Sequence, residues 1–266
     1  MRVYFAVYAR GLRRYSTYRA ATAAGIFTNS VFGAVNAMVL LALFAARPEI
    51  NGYDASDAVT QVYVAQALMA PLAIMGPALD LSERIRTGAV GTDLLRPMPL
   101  LGWWFAQDLG RVTFDTVFRS VPTFAIGAVL FSLALPGDAL RWALTLLSFA
   151  LATVVGFALR YLYSVVGFWL VDTRGVWAVM GPTGPVFAGM LLPLTLFPTA
   201  IGDVLRLLPW ASMVQIPAEI LLGKDTLPGG SALGGLLLQA GWAAVLLALC
   251  AYLTRLAARK VVVQGG

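Results

Sequence analysis

Long apolar runs alternate with short polar interruptions along this chain. The first run extends from about Ala20 to Ala46, with only Thr22, Thr28, Asn29, Ser30 and Asn36 as polar members. Others cover about 58–79, 112–135, 140–170, 176–198 and 231–256. A helix rises 1.5 Å per residue, so about 20 apolar residues cross a hydrocarbon core. Each run therefore reads as one span, and the pattern predicts an all-α integral membrane protein. Residues 20–256 form a single domain of six transmembrane helices. Repeated ten-residue alternating segments are absent, which argues against an outer-membrane barrel.

The runs differ in their breakers. The second contains Pro71, Gly76 and Pro77. The fifth contains Gly181, Pro182, Gly184, Pro185, Gly189, Pro193 and Pro198. An unbroken helix is not expected there. This span is read as a hinge or broken helix lining a pathway, with a close-packed kink as the plainer reading. Between the fifth and sixth runs, residues 199–230 hold two stretches too short to span, Asp203–Trp210 and Pro217–Lys224, both read as amphipathic helices. Residues 1–19 carry Arg2, Arg10, Arg13, Arg14 and Arg19 among Tyr, Phe and Val, which predicts an interfacial amphipathic helix. Trp103 and Trp104 read as an interfacial aromatic anchor.

The most polar interruption is the loop 80–111. Its stretch from Asp80 to Arg96 is charged and helix-capable, and Pro97 and Pro99 follow it. Ser82 is expected to cap a short helix bearing Glu83, Arg84 and Arg86, and Gly88 to end it. Glu83 and Arg86, spaced i, i+3, share a face. The result is a short, rigid, charged element at a membrane surface, suited to docking a soluble partner; an ordinary solvated loop is the plainer reading.

Composition narrows the functional classes. The 266 residues are 59% hydrophobic and 12% charged, with a mean hydropathy of +0.80. There are no histidines and one cysteine, Cys250, inside an apolar run. Histidine-based catalysis, histidine metal sites and a disulfide framework are thereby excluded. No G-x-x-x-x-G-K-[ST] phosphate loop exists, so any ATP is bound by another polypeptide. The net charge of +6 flanks the spans and forms no continuous patch, so no nucleic acid is expected.

Charge also sets an expected orientation. The N-terminal segment holds five Lys and Arg residues, the loop 80–111 four, the turn at Arg174 one and the C-terminus three. These thirteen face four on the other side, so both termini and the loop are expected in the cytoplasm. Inside the spans, Arg111, Asp115 and Arg119 recur at i, i+4 and i+8 and can pair on one helical face. Arg160 carries two readings, a buried binding or pairing charge and a snorkelling side chain.

The residues Glu83-Arg84-Ile85-Arg86-Thr87-Gly88 and Leu94-Leu95-Arg96-Pro97 resemble the first cytoplasmic loop of bacterial ABC-2 type permeases. The amphipathic N-terminus, six runs and helical segment 199–230, with Leu208-Pro209-Trp210 through Gly223, are similar to that family over the full length. The resemblance implies a small exporter permease in the bacterial inner membrane, with the segment 199–230 extracellular and a cytoplasmic tail over 257–266. It implies a coupling helix at Glu83–Pro97 that docks an ATPase, two ATPase copies, and a second permease, identical or related. It further implies no cofactor in this chain, with ATP and Mg2+ held by the ATPase. The competing class is a membrane protein without ATP coupling, a secondary transporter or an assembly scaffold.

Overall fold

A computed structural model describes residues 2–76, 78–170, 173–224 and 226–259. Pro77 of the expected second span, Asp172 of the turn after the fourth, and the tail from Lys260 onward lie outside the described residues. The regular elements of the described residues are all helices, with no strand among them. Three helices are long and apolar enough to cross a membrane: Arg19–Ala46, Ala139–Phe168 and Ala232–Ala258.

Helix α1 (Arg2–Ser16) has no acid in its first turn and two arginines, Arg13 and Arg14, in its last, which suits its dipole. It packs along α6 (Leu100–Asp115) rather than resting only on a membrane surface. The backbones meet at Gly11 and Gly110, where a Cβ would approach Gln107 O to 2.4 Å and Tyr8 O to 2.3 Å. Helix α2 (Arg19–Ala46) leads to α3 (Ala55–Met69), which opens with a capping box between Asp54 and Asp57. The expected second span thus starts earlier and is shorter, about 22 Å long. The chain leaves helical geometry at Ala70–Pro71, and Ala73 adopts a left-handed φ of 47°. Guanidinium donors from Arg111 take up the carbonyls of Ala70 and Pro71 at 2.8 and 2.9 Å, so the stop is satisfied without further helix.

Two short helices follow, α4 (Asp80–Arg86) and α5 (Val90–Leu94). The helix expected from Val112 begins at Leu100, so the loop ends at Pro99. It runs through α6, a π-helical turn Thr116–Ser120 and α7 (Val121–Leu130), and stops before Phe131. Helix α8 (Ala139–Val165) is capped by Asp138 and carries most of the buried face of the bundle. Helix α9 (Arg174–Phe187) continues through Pro182 and Pro185 and stops before Gly189, whose φ is 74°. The expected fifth span is therefore a helix that breaks at its far end, while its first two prolines stay inside that helix.

Helices α10 (Thr199–Leu207) and α11 (Gln215–Leu222) precede α12 (Ala232–Ala258). Helix α10 is amphipathic as expected. Helix α11 is not: Gln215 to Leu221 are all buried, against α8 and α3. It folds back into the bundle, because its two polar side chains, Gln215 and Glu219, find partners there. The main core joins α3, α6, α8, α11 and α12 around Phe157, Tyr161, Leu72, Met213 and Val214. Trp104 belongs to this core at 4% exposure, which corrects its reading as an interfacial anchor. Only Trp103 of the pair is partly exposed.

Candidate functional site

Two charged regions lie close together. One is the segment Asp80–Arg96; the other is a buried cluster on α6, its π turn and α8.

In the segment, Leu79 rather than Ser82 precedes the helix, and no side chain caps it. Ser82 sits one turn in, with its Oγ buried and unpartnered. Acidic Asp80 and Glu83 in the first turn, with Arg84 and Arg86 in the last, complement the helix dipole instead. Thr87 closes the helix with its hydroxyl on the Glu83 carbonyl at 2.9 Å, and Gly88 follows with φ 75°. The turn into α5 is organised by a residue that the sequence reading did not single out. Asp93 is buried and held by Arg84 on one side and by Arg96 at 2.9 Å on the other. The signal was available, since Asp93 and Arg96 stand at i, i+3. Arg96 also lies 4.0 Å over the Trp103 ring. At the N-terminal side, Arg14 of α1 meets Asp80 at 2.5 Å.

These bonds fix the segment from within. Glu83 and Arg86 pair in a fork at 2.6 and 2.8 Å on the exposed surface. The hydrogen bonds from Arg86 hold the Glu83 carboxyl below its ordinary pKa. Leu94 packs on the core, whereas Leu95 is 85% exposed at the tip beside exposed Pro97.

The buried cluster contains Arg111, Asp115 and Arg119, as the i, i+4, i+8 spacing predicts. Arg111 bonds Asp115 at 2.9 Å, and Arg119 meets the same carboxylate at 3.5 Å. Asp108, one turn before Arg111, bonds it at 2.9 Å, a local pair that the i, i+3 spacing allows. Asp108 also takes a two-pronged contact from Arg160, at 2.5 and 3.2 Å, across 52 residues of sequence. Arg160 is 5% exposed and therefore does not snorkel; of its two readings, the pairing charge is the one realised. A lone arginine and a lone aspartate in distant apolar helices were the only sequence signal.

The cluster lines a cavity of about 360 Å3, walled also by Tyr15, Asn29, Met69, Met75 and Trp104. A wider chamber of about 910 Å3 adjoins it, sharing Met75, Gly76, Ala78, Leu79 and Asp80 as walls. That chamber brings Glu83 and Arg86 of α4 next to Gly181 and Pro182 of α9. The other expected pathway residues separate from these. Gly184 and Pro185 are buried deeper in α9, near the Ile74 carbonyl. Gly189 and Pro193 belong to a second polar region. There Gln215 Oε1 accepts from Gln61 at 2.6 Å and from the Leu194 amide at 2.9 Å, while its Nε2 donates to Glu219 at 2.7 Å. Arg206 meets Glu219 at 3.1 Å, and Lys224 meets Asp57 nearby.

No cluster of three or more Cys, Asp or Glu residues that could hold a metal ion occurs among the described residues. In a comparison with protein families, the model described as ABC-2 family transporter protein matches residues 31–265. Comparison with curated proteins returns no match.

Proposed function

Since the chain belongs to the ABC-2 transporter family, and is thereby the membrane-spanning permease component of an ABC transporter, we propose that it serves an ATP-driven exporter. A separate ATPase, in two copies, binds ATP and Mg2+ beneath it, and a second permease, identical or related, completes the pathway. In this reading the chain crosses the bacterial inner membrane six times with both termini in the cytoplasm. The crossings are α2, α3 with the turns after it, α6 through α7, α8, α9 with its broken end, and α12. The arginine asymmetry supports the orientation.

The observation that carries the reading is the construction of Asp80–Arg96. Its carboxylates and guanidiniums are mostly spent on holding its own shape: Asp93 with Arg84 and Arg96, and Asp80 with Arg14. A segment braced in this way moves as one body. It also contacts α8 through α4, so a push from below reaches the long buried helix. The exposed Glu83–Arg86 fork and Leu95 form the face offered to the ATPase.

Exchanging the charges, Glu83→Arg together with Arg86→Glu, keeps the intramolecular pair while reversing its polarity toward a partner. The doubly changed permease should fold and insert as wild type, yet retain less ATPase on co-purification and show weaker substrate-stimulated ATP hydrolysis. Full retention and full stimulation would remove this segment as the main coupling contact. Failure of any ATPase to co-purify with wild type would remove the ATP-driven reading itself.

A further inference from the structure

The buried cluster does not close on itself. Among the described residues, the ion pairs of Arg111, Arg119 and Arg160 are with Asp108 and Asp115, three guanidiniums to two carboxylates. Asp80 also lines the cavity, but it is matched by Arg14. The excess can be assigned to one residue by counting donors. Arg111 bonds Asp108, Asp115 and the carbonyls of Ala70 and Pro71. Arg160 bonds Asp108 twice and the Gly156 carbonyl. Arg119 has only the 3.5 Å contact to Asp115, and its Nε is buried without a hydrogen-bond partner.

Other features at the same place point to a ligand. Arg119 stands on the π turn Thr116–Ser120, and such turns often mark functional sites. Its guanidinium lies against Gly25 of α2, where a Cβ would come within 2.4 Å of Nη2. Trp104, 4% exposed, also borders this cavity, with its indole N–H buried away from it. An under-used guanidinium in the wall of an open volume suits an oxyanion. The adjoining 910 Å3 chamber has Asp80, Glu83, Arg86 and Arg174 along part of its wall, and its other part, with Met75, Leu79, Trp177 and Pro182, gives an apolar body somewhere to lie.

We propose that Arg119 docks the anionic head of an amphiphile, a phosphate ester or carboxylate, with the apolar part in the chamber beneath α9. This rests on the permease reading for its purpose, since the bound amphiphile would be the transported class. Binding itself needs no ATPase, so its failure and the failure of ATP coupling are read separately.

The test is calorimetric titration of the purified, detergent-solubilised permease with three probes: dioctanoyl phosphatidate, dioctanoyl phosphatidylcholine and inorganic phosphate. Wild type should prefer phosphatidate over phosphatidylcholine by about tenfold, the scale of one charge-assisted contact, and should bind inorganic phosphate at least about tenfold more weakly than phosphatidate. Arg119→Gln should abolish the preference, and Arg119→Lys should keep most of it. Gly25→Ala, which displaces the guanidinium without removing it, should weaken phosphatidate binding and keeps the test available if Arg119→Gln does not fold. Equal binding of the two lipids by wild type, or an undiminished preference in a folded Arg119→Gln, would overturn the site. Inorganic phosphate binding as tightly as phosphatidate would overturn the amphiphile and assign the site to a free anion.

Discussion

The α6 cluster and the α11 network are built from the same materials and end in different states. Both bury arginine and carboxylate side chains among apolar helices. Around α11, Glu219 is matched by Arg206 and Asp57 by Lys224, and Gln215 joins three backbone and side-chain partners at once. Charges balance there, and even Gly189 is shaped to fit, since a Cβ at that position would approach Gln215 Oε1 to 2.4 Å. Around α6 one guanidinium remains under-used beside an open cavity. Buried charge in the first region holds α11, α3 and the chain after α9 together. In the second it also leaves binding capacity. Both regions leave one arginine Nε buried and unpartnered, but Arg206 bonds the Thr226 carbonyl and Glu219 at 3.1 Å, whereas Arg119 has a single 3.5 Å contact and lines an open cavity.

The comparison breaks most visibly at Asp108. Asp108→Ala strands Arg160 and one edge of Arg111 in the core, and should cost about 3–5 kcal/mol, the usual cost of orphaning a buried charge. Thermal unfolding of the purified protein would read this as the largest loss among the cluster variants. Next is Gln215→Leu, which leaves the Leu194 amide without its side-chain acceptor and Gln61 with only its 3.4 Å bond to the Gly189 carbonyl. A loss of about 1–3 kcal/mol is expected in the same assay, from buried donors left unmade. A smaller value would mean that the α11 network is not a staple.

Arg119→Gln should behave unlike the other arginine changes. Its side chain is 29% exposed and its one ionic contact is 3.5 Å long, so stability should shift by less than about 1 kcal/mol. A loss matching that of Arg160→Gln would erase the distinction drawn between them. In a double-mutant cycle, Asp115→Ala should couple more strongly to Arg111→Ala than to Arg119→Ala, because the first pair is at 2.9 Å.

How much of this was legible depends on sequence distance. The Arg111–Asp115–Arg119 face and the end of α4 at Gly88 are local, and spacing alone reveals them. The Asp108–Arg160 contact joins α6 to α8, and no periodicity records it. The length of α3 was obscured because hydropathy continues past Met69, while the geometry that ends it, the left-handed Ala73 and the capping by Arg111, depends on tertiary contacts. Helix α11 reads as amphipathic because Glu219 is polar. The contacts of Gln215 with Gln61 of α3 and of Glu219 with Arg206 of α10 show that it points inward.

A local, pH-dependent effect lies at the start of α3. Asp54 accepts the Asp57 amide at 2.9 Å, and this bond, more than any other contact, lowers its carboxyl pKa. Its contribution is therefore present at neutral pH and is lost as pH falls through the lowered folded pKa. Asp54→Ala should cost about 1 kcal/mol at neutral pH. The difference from wild type should shrink in acid.

The central claim is that ATP-driven motion enters through Asp80–Arg96, and site-directed crosslinking tests it most directly. In a Cys250→Ala background, Thr87→Cys and Asp54→Cys permeases are co-expressed with the ATPase and treated with a short thiol-to-amine crosslinker. Thr87 is exposed at the end of α4, whereas Asp54 starts α3, at the other end of the roughly 40 Å helix α2. The account predicts a permease–ATPase adduct from Thr87→Cys and none from Asp54→Cys. An adduct from Asp54→Cys, or no adduct from Thr87→Cys while the ATPase still co-purifies, would contradict it.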